Sequence, residues 1–253
     1  MPASTITVGD VRLTRVSYAE VSLPPETFGL RAADVAAVPW AEPLWAEDDQ
    51  VRVAAAAWVI ESGDARIVVD PALAADDLLR NDTDADAHQQ AFATLLERSG
   101  FPRDTITHAV ATHFDGIGML AWRNDDGSWA PFFPNAPVLY SARELEVVDV
   151  EHYLGESVQP AEDRHPITGE VALELTGVHS PGHQIVRIES EGERATILGH
   201  LALVPLNLAV PGFNAVPEWD AVSAIRDEGA LLIGPLWPTP GAGRWDGSRL
   251  VPG

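Results

Sequence analysis

Residues 106–118 read Ile-Thr-His-Ala-Val-Ala-Thr-His-Phe-Asp-Gly-Ile-Gly. An apolar run delivers His113 and Asp115 and then turns through Gly116 and Gly118. An imidazole and a carboxylate two residues apart at a strand end are ligand types that a metal-dependent hydrolase gathers around its ions. The chain contains no Cys, which excludes disulfides and thiolate ligands. A zinc site here must be built from His and carboxylate.

The elements that position this stretch can be read from pattern. Residues 5–22 carry the β-branched content of strands, and Leu23-Pro24-Pro25 ends the pattern. Residues 24–50, with several Pro and two Trp, read as irregular. Residues 51–61 and 66–70 read as strands joined by a turn at Ser62-Gly63-Asp64. Residues 86–99 have helical spacing through Phe92, Leu95 and Leu96, with Gly100 as the stop. A strand at 106–111, an aromatic-rich loop at 124–137 and a short strand at 138–140 follow. Ser141 then caps a helix, with Glu144 three residues on as the partner of a capping box.

The second half predicts strands at 171–175, 184–190 and 194–198, a helix at 218–228, a strand at 230–233 and a Pro/Gly-rich tail from 238. No compositional shift marks a linker, so residues 1–253 are expected to form one domain. Two β-rich halves with helices outside them read by themselves only as an α/β fold; they suggest a four-layered αββα sandwich with its site at one sheet edge once the family resemblance of their blocks is added.

Charge narrows the partners. The formal net charge is −22, and all 16 basic residues are Arg. That field disfavours nucleic acid and anionic lipid. No apolar run is long enough to span a bilayer and no signal segment is visible, so a cytoplasmic location is expected. The acidic clusters at 47–49 and 82–86 read as solvated loops. The aromatics of 40–45 and 122–133, with Trp237, wall an apolar pocket or form a subunit interface, and any single ring is otherwise expected to be buried in the core.

Five blocks in order resemble the metallo-β-lactamase superfamily, in particular its lactonase and aryl-ester hydrolase branch. They are Ile67-Val-Val-Asp70, residues 106–118, His179-Ser-Pro-Gly-His183-Gln184, Ile197-Leu-Gly199-His200 with Pro205-Leu206-Asn207 after it, and the block from Gly234 to Arg244. The resemblance covers nearly the whole chain. It implies the αββα fold and, in complete members, two zinc ions held by up to five His and two carboxylates.

Carried over without a gap, the motif Thr-His-x-His-x-Asp-His-x-Gly places its first His on Ala111, its second on His113, its Asp on Asp115 and its last His on Gly116. With a two-residue deletion, Thr112-His113 takes the first Thr-His and the second His is absent. The next block keeps its His at His179, the bridging Asp becomes His200, and the C-terminal His becomes Leu236. A two-metal centre is therefore not expected.

Three readings follow. His113, His179 and His200 hold one zinc-like ion, with Asp115 as general base or fourth ligand. Alternatively the histidines form a relic pocket without metal, or Asp115 or a His acts as a metal-free base. Asp70 and His183 are expected to support the site from behind, Asp70 by orienting a His or capping its strand, His183 by bracing its turn. In function terms, the lost ligands favour a non-catalytic or accessory subunit, paired with an active relative of the same fold or with itself. The retained residues favour the alternative, a mononuclear or metal-free hydrolase of a small hydrophobic ester, lactone or activated aryl ether.

Overall fold

A computed structural model describes residues 4–71 and 85–253. The expected turn after residue 61 lies between Gln50–Ser62 and Ala65–Val69, which pair antiparallel with Ser62 opposite Ala65. The first sheet runs Ser4–Val8, Val11–Leu23, Gln50–Ser62, Ala65–Val69, His108–Val110, Val138–Ser141 and Val158–Ala161, in that order. Pairing is antiparallel up to Ala65–Val69 and parallel beyond it. The second sheet runs Arg164–Pro166, Val171–Leu175, Gln184–Ser190, Glu193–Ile197, Leu231–Ile233, Ala242–Trp245 and Leu250–Pro252. Only Glu193–Ile197 and Leu231–Ile233 are parallel neighbours in it.

Period-two alternation sorts the apolar residues into layers. Trp58 and Ile60 pack inward with Ile67, Val69, Val186, Ile188, Ile197 and Ile233, which fills the space between the sheets. Their neighbours Ala57 and Val59 face the other way and pack with Phe92 and Leu96 of the helix Ala85–Arg98. Both faces of Gln50–Ser62 are thus covered, which is why residues 53–60 read as an almost unbroken apolar run. On the far side, Val222 and Ile225 of the helix Val216–Asp227 cover Ile185 and Leu232 of the second sheet. The order of layers is helix, sheet, sheet, helix, as expected.

Several local expectations are corrected. Part of the segment read as loop at 124–137 is a hairpin, Ala121–Arg123 with Trp129–Pro131. The Pro/Gly-rich tail contributes two strands, Ala242–Trp245 and the edge strand Leu250–Pro252. The aromatic segments are not an exposed patch. Trp45, Phe132, Phe133 and Trp237 are fully buried, and Trp40, Trp122 and Trp129 are partly so. Phe132 stacks on Phe92 and Phe133, with the Arg103 guanidinium over it and over Trp122. Burial of these rings removes the physical reason for expecting an interface there. His88 is half-buried and is hydrogen-bonded to the Tyr18 hydroxyl. The acidic residues 82–84 lie outside the described residues. Among the described residues no helix is long and apolar enough to cross a membrane.

Parallel pairing decides where the chemistry can sit. Ala65–Val69, His108–Val110 and Val138–Ser141 run the same way, so their C-terminal ends open at one edge into Asp70, His113 and Glu144. Glu193–Ile197 and Leu231–Ile233 do the same in the second sheet, and lead to His200 and Leu236.

Candidate metal centre

One nitrogen from each of His113, His179 and His200 lies within 4.8 Å of the others. The ring centroids are 4.8 Å apart for His113 and His179, and 4.4 Å for His113 and His200. His183 stands behind them, 5.5 Å from the rings of both His113 and His179. Three positions far apart in sequence meet because each follows a strand end at the same edge.

The rings are oriented by hydrogen bonds at Nδ1. His113 Nδ1 is 3.2 Å from Thr112 Oγ1, and that hydroxyl donates to Asp70 Oδ2 at 2.8 Å. With Asp70 ionised the hydroxyl proton is committed to it, so Nδ1 of His113 is then the donor and Nε2 keeps its lone pair. His179 Nδ1 is 3.1 Å from Glu218 Oε1, which sets the same tautomer. Glu218 also accepts from Ala215 N, so it caps the helix Val216–Asp227 and holds the imidazole at once. A carboxylate behind a histidine is the arrangement that orients metal ligands and raises their basicity. His183 Nδ1 pairs with Thr176 Oγ1 at 2.9 Å. The Nε2 atoms of His183 and His200 are buried with no hydrogen-bond partner. His200 Nε2 lies 3.8 Å from Asp115 Oδ2, and the Asp115 side chain is half-exposed.

Burial keeps His113, His183 and His200 neutral, which is the ligand form. Desolvation first, then the neighbouring histidines, pushes His113 and His183 far below the usual imidazole range. The same causes bring His200 down to about 3. Asp70 goes the other way. It is fully buried, and desolvation lifts it to about 7 although Thr112 N and Oγ1 both donate to it.

Backbone strain collects at the same place. His179 and Asp70 both adopt positive φ, 74° and 44°. For non-glycine residues such conformations cost roughly 1–3 kcal/mol and persist only where surrounding contacts enforce them. Gly199 lets His200 approach, since a Cβ there would lie 2.6 Å from Thr112 Oγ1 and 2.7 Å from His183 Nε2. Gly182 is equally constrained, with the Glu144 backbone N 2.2 Å from where its Cβ would be. Gly182→Ala is expected to lower stability by about 1–3 kcal/mol through overpacking. Thermal denaturation checks this, and an unchanged midpoint would show that the loop simply yields.

The remaining family positions are filled otherwise. Ala111 is buried and its carbonyl accepts from Gln184 Nε2 at 2.9 Å, which ties the two sheets together beside the site. Leu236 sits in a loop locked by Arg15, whose guanidinium donates to Trp237 O at 2.7 Å, and by Trp237 Nε1 donating to Ala202 O at 2.9 Å. Glu144 departs from expectation. Ser141 Oγ does accept from Glu144 N, but the Glu144 side chain does not return to complete a capping box. It is buried and reaches the loops of His113 and His179 instead. The S-x-x-E spacing was visible in sequence; the direction of the side chain was not.

No protein-family model matches the chain. Over 119 residues it is 29% identical to an N-acyl homoserine lactonase of Bacillus cereus, covering 44% of this chain and 44% of that protein. The match thus spans less than half the length of the curated relative. Among solved structures, AidC, a dizinc quorum-quenching lactonase, superposes with a TM-score of 0.75 at 12% identity, covering 100% of this chain and 97% of AidC. The hydrolase AbOPH of the β-lactamase superfamily gives 0.74 at 16% identity, covering 99% and 97%. The chain has the metallo-β-lactamase fold. A probable metal-dependent hydrolase from Staphylococcus aureus shares this metallo-β-lactamase scaffold at a TM-score of 0.72 and 15% identity, covering 97% of this chain and 99% of that one. On the scaffold, three histidines at strand ends are the group among the described residues that could hold a metal ion.

Proposed function

We propose that the chain is a hydrolase of a small ester or lactone with a single metal ion held by His113, His179 and His200. The observation that carries this is the convergence of three imidazole nitrogens within 4.8 Å, two of them in rings fixed at Nδ1 by Thr112 and Glu218. The donor set fits one zinc-like ion, since three neutral nitrogens with one open position are the ligand pattern of mononuclear zinc sites. The buried, unpartnered His200 Nε2 supports the same fit. When bound, such an ion supplies Lewis-acid polarisation of a carbonyl and lowers the pKa of water.

The protein's own groups do the rest. Thr112 and Asp70 hold His113, and Glu218 holds His179, so both rings keep one tautomer. Asp115 Oδ2, beside His200 and half-open to solvent, is placed to accept a proton from an attacking water. Gly116, in the left-handed region with φ 80°, turns the chain back immediately after Asp115. The lactonase names of AidC and of the Bacillus cereus relative support a lactone or related ester as the substrate class.

The test is hydrolysis of an N-acyl homoserine lactone by the purified chain, followed by chromatography with and without added zinc. Zinc-dependent ring opening that disappears in His113→Ala is expected. A second reading, a non-catalytic accessory subunit, is favoured by Ala111, Gly116 and Leu236 at three positions where the resemblance expects His. That reading gains if the chain alone opens no lactone at any zinc concentration, yet raises the activity of a relative with the full ligand set and co-elutes with it.

A further inference from the structure

Glu144 lies in the first turn of the short helix Ala142–Leu145 and is only 2% exposed. A buried carboxylate is costly unless hydrogen bonds replace its hydration. Here two other loops supply them. Oε1 accepts from Phe114 N at 2.8 Å. Oε2 accepts from Ser180 Oγ at 2.7 Å and from Gly182 N at 3.0 Å. Each donor is next in sequence to a histidine of the cluster: Phe114 follows His113, Ser180 follows His179, and Gly182 precedes His183.

The two loops belong to different sheets. Residues 113–115 follow His108–Val110 in the first, and residues 176–183 precede Gln184–Ser190 in the second. Glu144 itself follows Val138–Ser141, the parallel neighbour of His108–Val110. One carboxylate therefore bridges the sandwich at the mouth of the site. Its own backbone is fixed by Ser141 Oγ, 3.1 Å from Glu144 N, and by Gly182 packed against it.

We infer that Glu144 is a positioning residue, which holds His113 and His179 in ligating register by tying their two loops to one buried carboxylate. The inference rests on the reading of these histidines as metal ligands. The chemistry requires an acceptor at both oxygens, because Phe114 N and Gly182 N can only donate. An amide in either orientation sets its NH2 against one of those two N–H groups. Glu144→Gln is therefore nearly isosteric but must lose a backbone hydrogen bond. His179, with its left-handed backbone, is held on one side by Ser180 on Glu144 and on the other by its own Nδ1 on Glu218.

The experiment uses the whole metal-free chain and the variants Glu144→Gln, Ser180→Ala and, as an exposed neighbour, Glu146→Gln. Cobalt(II) is titrated in and followed by its visible absorption. The imidazole rings of the metal-free proteins are followed by nitrogen–proton correlation spectra. Glu144→Gln is expected to bind cobalt about 10–100-fold more weakly, the range seen when groups behind metal ligands are changed. Ser180→Ala is expected to lose less, in the same direction, and Glu146→Gln to match the parent. The His113 and His179 ring signals are expected to shift or broaden in Glu144→Gln while the backbone spectrum stays largely intact, which a general loss of folding would not produce. Parental cobalt affinity with unchanged ring signals in Glu144→Gln overturns the inference. If Glu144→Gln does not fold, Ser180→Ala decides by the same two readouts. If the parent chain takes up no cobalt, the ligand reading fails, and the ring spectra alone decide whether Glu144 positions these histidines.

Discussion

Acidifying the metal-free protein from pH 6.5 to pH 4.5 is expected to remove about 5 kcal/mol of folding stability. His113, His183 and His200 are buried, and desolvation holds them well below the usual imidazole range, with His200 near 3. In the unfolded chain each titrates near 6.5. Across this window the unfolded state therefore binds about three protons that the folded state refuses, which favours unfolding. Asp70 has the opposite sign. Its folded value near 7 lies above its unfolded value near 3.9, so the folded state binds one proton that the unfolded state does not. The stability it contributes is full below the unfolded value and is lost as pH rises through 7. The net difference is about two protons, or about 3 kcal/mol per pH unit near pH 5. Urea denaturation at a series of pH values measures the slope directly. Asp70→Asn removes the opposing group and should steepen it by about one proton. Stability that rises on acidification between pH 6.5 and 4.5 would mean that the histidines are hydrated and titrate freely, leaving Asp70 as the one shifted group.

Removing a ligand should have the largest effect on metal binding. His200→Ala is expected to weaken zinc binding by more than about 100-fold, beyond the range for groups that only support a ligand. The reason is geometric. His200 Nε2 is buried without a hydrogen-bond partner, in a turn held by Gly199 and by Trp237 Nε1 through Ala202, and its removal leaves two imidazoles of the three-histidine group. His88→Ala should leave zinc affinity unchanged, because His88 is bonded to Tyr18 and packs with the Phe92 cluster instead. Calorimetric titration of both variants checks the pair. Equal affinities would remove His200 from the ligand set.

Legibility in the sequence tracked how local the cause was. The strands around Trp58 and Ile67 could be read because short apolar runs and a turn at Gly63 are local signals. His113, His179 and His200 could be named because their blocks resemble the family's ligand blocks in order. Their convergence follows from parallel pairing at one edge, which the ordered blocks implied. The direction of the Glu144 side chain could not be read, since its partners lie 30 to 38 residues away and on another sheet. The tail strand Ala242–Trp245 was hidden for a similar reason. Its Gly and Arg carry weak β-propensity, and it is a strand because Leu231–Ile233 offers a free edge. For the aromatic segments composition marks a ring as apolar without saying which layer covers it; of the open alternatives, core burial holds for Phe132 and Trp45.

The most direct measurement is anomalous diffraction at the zinc edge from crystals of the chain grown with zinc. One full-occupancy peak is predicted, about 2.0–2.1 Å from a ring nitrogen of each of His113, His179 and His200. A second full-occupancy peak would contradict the single-ion reading, and no peak among the three histidines would contradict the metal centre itself.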